Sequence, residues 1–184
     1  MEPFQGGISG LAHWSPPADA LTQATPMMAL REGATIPLHR LFFGNTAGCL
    51  GETSALLILL GGAYIVYKKA APWRIALACL LGGLLFSTLL HGFESQVFPS
   101  PLFTLFSGSF LFGTVFVATE PISGAKTKEG QWIYGFVIGA LTMVLRRYSN
   151  FSEGLMFSVL LMNAFVPLLD LGVRQIKLPS RVGE

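Results

Sequence analysis

Thr25 follows Ala24, with Thr22 three residues before it and Asp19 six residues upstream, in the stretch Asp19-Ala20-Leu21-Thr22-Gln23-Ala24-Thr25. An accessible threonine hydroxyl can be esterified to the phosphate of a flavin nucleotide, and this arrangement has the form of a covalent flavin-attachment site. Pro26 follows at once and disfavours the helical conformation at Thr25, since the proline ring clashes with an α-conformed predecessor. The expectation is FMN held as a phosphodiester on Thr25, with Asp19, Thr22 and Ala24 completing the attachment motif. Gly33-Ala34-Thr35 ends in similar letters but lacks both the upstream aspartate and a Ser/Thr three residues before, so Thr35 ranks second.

The acids form the second set. Glu52, Glu94, Glu120, Glu153 and Asp170 fall at the ends of apolar runs or in adjoining turns. Glu52 and Glu153 are explained by a carboxylate complementing the macrodipole in a helix's first turn. Glu120 and Asp170 each close an apolar run, where a charge near the bilayer is costly; they are candidates for an ion path, with interfacial anchoring as the plain alternative. Cys49, Cys79, His13, His39 and His91 are scattered without ligand spacing, so neither a zinc site nor an iron–sulfur cluster can be built from this chain alone. No side chain is assigned a catalytic role.

These residues must be carried by membrane helices. With 184 residues, 52% hydrophobic and only 12% charged, the chain is too apolar for an ordinary soluble domain, where about a quarter of residues are charged. A mean hydropathy of +0.58 agrees. The net charge of +2 is small and no basic stripe is present, which argues against nucleic acid. Met1-Glu2 and the Gly/Pro-rich run behind them do not have the form of a cleavable signal peptide. The pattern predicts an all-α polytopic membrane protein: a polar extracytoplasmic segment over 1–48, a membrane domain of about five helices over 49–173, and a basic cytoplasmic tail over 174–184. The apolar runs are 49–67, 70–90, 97–119, 131–145 and 154–169. A spanning helix needs about 20 residues, so the last two are short unless flanking polar residues join them. Pro99-Ser100-Pro101 opens the third run in the manner of a discontinuous helix that lines a site, against which stands simple tilt variation.

Basic residues set the orientation. Lys68, Lys69, Arg74, Lys126, Lys128, Arg174, Lys177 and Arg181 fall on one side, and Arg31, Arg40, Arg146 and Arg147 on the other, eight against four. The positive-inside rule places the larger set in the cytoplasm and the Thr25 segment outside.

Longer strings carry a resemblance to the NqrB/RnfD family. Gly44-Asn45-Thr46-Ala47-Gly48-Cys49-Leu50-Gly51-Glu52-Thr53-Ser54-Ala55-Leu56 resembles the GNxxGSxGETSAL signature of the D subunit of the Rnf electron-transport complex and, more distantly, that of its homologue, the B subunit of the sodium-pumping NADH:quinone reductase. Phe116-Val117-Ala118-Thr119-Glu120-Pro121-Ile122-Ser123 is similar to that family's FMATDPVS, and Leu161-Met162-Asn163-Ala164-Phe165-Val166-Pro167-Leu168-Leu169-Asp170 to its LLMNALVPLID. The Met-Asn wording sides with the Rnf branch.

The resemblance implies an ion-translocating oxidoreductase component in a bacterial inner membrane, with Thr25 as the FMN carrier and Gly51 and Glu52 in the vicinity of a flavin. Gln23 stands where the attachment motif usually has glycine. The resemblance further implies a flavin transferase for maturation, other Rnf subunits and membrane lipid as partners, and riboflavin as a second flavin that no residue here assigns. Family members carry a preceding half related as an inverted repeat, so this chain corresponds to the later half. Two other classes stay open: a passive small-molecule channel or permease of inverted-repeat type, and a fragment without function.

Overall fold

The computed structural model describes residues 38–44, 54–93, 100–107, 109–149 and 154–177, and every regular element among them is helical. In chain order these are α1 (Leu38–Phe43), α2 (Ala55–Tyr67), α3 (Trp73–Phe93), α4 (Pro101–Phe106), α5 (Phe110–Phe112) running into a π-helical turn (Gly113–Val117), α6 (Lys128–Tyr148) and α7 (Leu155–Lys177). The attachment residues Asp19, Thr22, Ala24 and Thr25, and Gly51 and Glu52 of the signature, lie outside the described residues, as does Thr35.

Local chemistry sets the helix starts. Ser54 caps α2, its hydroxyl accepting from the Leu57 amide at 3.4 Å, and Thr127 caps α6 by accepting from the Gly130 amide at 3.2 Å. Pro101 occupies the first turn of α4, where its missing N–H costs nothing.

The central unit is the pair α3 and α6, with α7 also packed on α6. A side chain at Gly82 would run into the Phe136 carbonyl, one at Gly135 into the Ile75 carbonyl, and one at Gly139 into Cys79 and Gly83 backbone. Glycine on both helices thus brings backbone against backbone, the device that membrane helices use where no hydrophobic force drives them together. Ile75, Cys79, Phe110, Tyr134, Ile138, Met143 and Leu155 fill the core around this pair. A second cluster, Ala55, Ile58, Leu111 and Val115, joins α2 to α5 and the π turn, and Phe42 of α1 packs against it. Part of the expected polar lead therefore folds onto the helical domain.

Outside, the picture reverses. Leu57 and Leu60 of α2, Leu81, Leu85 and Leu89 of α3, and Leu160, Leu161, Phe165 and Leu168 of α7 are all exposed. Apolar surface on this scale is at home against acyl chains and a liability in water.

The expected spans are only partly seen. Among the described residues, Trp73–Phe93 and Leu155–Gln175 are long and apolar enough to cross a membrane, while Ala55–Tyr67 is apolar but short. The fourth and fifth runs gain length from their flanks: α6 takes in Lys128 and Glu129 at one end and Arg146 and Arg147 at the other, and α7 continues past Asp170 to Lys177. Asp170 therefore lies within a helix rather than at its end, and the expected tail boundary at 174 cuts through that helix. The third run, the longest uncharged one in the sequence, is not a continuous helix.

Candidate functional site: a broken helix and two acids at the far end of α6

The break falls between the end of α4 at Phe106 and the start of α5 at Phe110, where the sequence reads Ser107-Gly108-Ser109. Serine competes for backbone hydrogen bonds and glycine loses the most entropy in a helix, so such a stretch resists helical continuation. Ser107 takes an extended conformation with φ −90° and ψ 135°, and its amide closes the last turn of α4 on the Phe103 carbonyl at 2.8 Å. Beyond the break, the Gly113 amide returns to the Ser109 carbonyl at 2.7 Å, and the Ala118 amide to the Gly113 carbonyl at 2.7 Å, the wider loop of a π turn.

The final carbonyls of a helix have no intrahelical partner and need one when buried. Arg146 of α6 supplies it. Its guanidinium donates to the Thr104 carbonyl at 2.7 Å and to the Ser107 carbonyl at 3.2 Å, and lies 5.6 Å from the centre of the Phe110 ring. Only 2% of Arg146 is exposed. The sequence pattern assigns Arg146 to a loop basic set with Arg147; the structure instead buries it, because Gly135, Gly139, Thr142 and Arg146 recur at helical spacing on the face that meets the core. That periodicity is the signal through which it is legible. Arg147, one position on, is half-buried and its guanidinium lies 5.4 Å from the Tyr148 ring.

Buried hydroxyls surround the two helical pieces. Thr114 is fully buried with its Oγ1 3.3 Å from Cys79 Sγ, and Thr142 donates to the Ile138 carbonyl at 2.7 Å with Ser158 Oγ 3.1 Å away. Ser87 Oγ and Ser107 Oγ are buried with no hydrogen-bond partner among the described residues. Cys79 is a free, buried thiol, and among the described residues no group of three or more His, Cys, Asp or Glu side chains is placed to hold a metal ion.

Glu120 and Asp170 converge on one segment at the opposite end of α6. Helical rise places that end about 30 Å from Arg147. Glu120 accepts from the Ser123 hydroxyl at 2.9 Å and lines a cleft of about 430 Å³ together with Lys69, Trp73, Lys126 and Gln131. Asp170 accepts from the amides of Lys126 and Thr127, each at 3.1 Å, and from the Thr127 hydroxyl at 2.6 Å. Asp170 thus fastens α7 to the segment that starts α6. The loop after α2, the segment before α6 and the later part of α7, all basic, meet at this end. Trp73 and Trp132 pack edge to face there at 6.1 Å, in the style of an interfacial aromatic pair.

An all-helical bundle with exposed apolar faces and two helices long and apolar enough to cross a membrane among the described residues is consistent with a membrane protein. Residues 4–178 match the NQR2, RnfD, RnfE family, and the chain belongs to that family. It is 42% identical to the B subunit of the Na(+)-translocating NADH-quinone reductase of Pseudoalteromonas atlantica over 97% of this chain and 47% of that protein. The D subunit of the ion-translocating oxidoreductase complex of Stutzerimonas stutzeri is 43% identical over 70% of this chain and 36% of that protein, and its counterpart in Pseudomonas aeruginosa is 36% identical over 83% and 46%. The chain spans less than half the length of each of these relatives.

Proposed function

We propose that this chain is the later half of the membrane subunit of an Rnf-type ion-translocating oxidoreductase in a bacterial inner membrane, relaying electrons through FMN on Thr25 and coupling that relay to sodium or proton movement. Family membership carries the reading, because relatives over nearly the whole chain are named as subunits of ion-translocating redox complexes. Asp19, Thr22, Ala24 and Thr25 would hold the flavin on the outer face, and the flavin, once attached, supplies the redox chemistry. Five spans with basic loops inside remain the proposed topology, supported by the gathering of those loops at one end of the bundle. Other subunits of the complex, a flavin transferase and lipid are the proposed partners, and riboflavin a proposed second flavin.

The quinone-reductase branch is the second reading, favoured by the 97% coverage of this chain by its Pseudoalteromonas member, against the Met162-Asn163 wording that favours Rnf. Copurification with the partner subunits of one branch or the other separates them.

Glu120 and Asp170 are the proposed ion-path acids, and their surroundings differ. Both carboxylate oxygens of Asp170 are engaged by Lys126 and Thr127, whereas Glu120 faces a water-accessible cleft with one serine on it. Reductant-driven ion uptake into vesicles containing the whole complex, expressed per flavin, tests the role. Glu120→Gln is expected to weaken apparent sodium affinity with protein level retained, and Asp170→Asn to lower both uptake and assembled protein. Unchanged sodium affinity and ion-to-electron ratio in both variants would remove the two acids from the mechanism.

A further inference from the structure

Arg146 does more chemistry than a helix cap needs. The carbonyls at the end of α4 carry the negative end of that helix, and Ser87 Oγ and Ser107 Oγ lie buried without partners among the described residues. Ser107 stands at the break itself. Ser87 lies one turn along α3 from Gly83, whose backbone faces the Phe110 ring and Met143. Carbonyl and hydroxyl oxygens exposed where a helix is interrupted are the donor set for which a monovalent cation trades its hydration shell. Here the carbonyl oxygens are already taken: the guanidinium donates to Thr104 and Ser107 and has the Phe110 ring beside it. A guanidinium cannot be deprotonated in a protein, so the positive charge at this point is permanent.

We infer that Arg146 is a resident cation which seals the helix break, occupying the carbonyls that a permeant monovalent ion would otherwise use and so preventing passive leak through this half of the membrane protein. The inference rests on the ion-translocating reading, but makes a demand that can be measured without electron transfer. Removing the charge withdraws the guanidinium from the Thr104 and Ser107 carbonyls; a lysine keeps the charge and loses the fork.

The test uses the complex purified with this chain, reconstituted into vesicles, with passive sodium influx recorded in the absence of reductant. Arg146→Gln keeps a donor and removes the charge, and should raise sodium influx on the order of tenfold, with influx suppressed again by added guanidinium ion. Arg146→Lys should stay near the wild-type rate. Influx in an assembled Arg146→Gln complex equal to wild type, or a leak that guanidinium does not touch, would overturn the inference. So would failure of Arg146→Gln and Arg146→Met to assemble while Arg146→Lys assembles normally, because that outcome assigns the side chain to folding alone. Absence of reductant-driven ion movement in wild-type vesicles would count against the ion-translocating reading instead and leaves the influx comparison intact.

Discussion

The pair α3 and α6 and the broken stretch α4–α5 are held by opposite means. In the first, Gly82, Gly135 and Gly139 remove side chains so that two backbones touch, and the contact is distributed over several turns. In the second, the backbone is interrupted, and one long side chain from α6 reaches across to satisfy what the interruption exposes. The same helix serves both, with its glycines facing α3 and its last turn facing the break. Distributed packing should fail when volume is added; a single-residue latch should fail when one group is removed.

The largest effect is expected from Gly139→Leu. No rotamer of a leucine avoids the Cys79 carbonyl and the Gly83 amide, both backbone, and overpacking of this kind costs about 3 kcal/mol or more. Loss of monodisperse protein in detergent would register it. Gly92, with nothing within 4 Å of an added Cβ, is the control, and Gly92→Ala should be neutral or slightly stabilising. Normal yield and melting for Gly139→Leu would mean the helices are not in backbone contact.

Next in size is Arg146→Met, which leaves buried carbonyls of Thr104 and Ser107 without this donor at about 1–3 kcal/mol for each group. Arg147→Met should cost less than Arg146→Met, because Arg147 is only half-buried whereas Arg146 is almost wholly enclosed. Thermal unfolding of the two variants side by side sharpens the comparison: equal melting points would show that the break is held by something other than Arg146.

The first region was legible in the sequence and the second only in part. Gly135 and Gly139 at four-residue spacing within an apolar run announce close packing, and the strings around Glu120 and Asp170 carried the family through their wording alone. Pro99-Ser100-Pro101 hinted at a discontinuous third span. The break itself falls later, between Phe106 and Phe110, because a proline at a helix start is tolerated whereas a Ser-Gly-Ser sequence in mid-run favours helix less. Arg146 and Arg147 look alike in a charge count; only the register of α6 turns one inward and the other aside. Asp170 was expected at a helix end because the apolar run stops at Leu169, yet α7 continues, since a helix that has reached the interface can carry polar residues onward with its backbone bonds already satisfied.

The attachment of flavin to this chain is the claim on which the functional account turns. Coexpression with a flavin transferase, denaturing purification and mass spectrometry of the peptide that contains Thr25 test it most directly. The expected result is a mass increase equal to FMN less one water on Thr25, in-gel flavin fluorescence that survives denaturation, and loss of both in Thr25→Ala but not in Thr35→Ala. An unmodified Thr25 peptide, or fluorescence that persists in Thr25→Ala and disappears in Thr35→Ala, would contradict it.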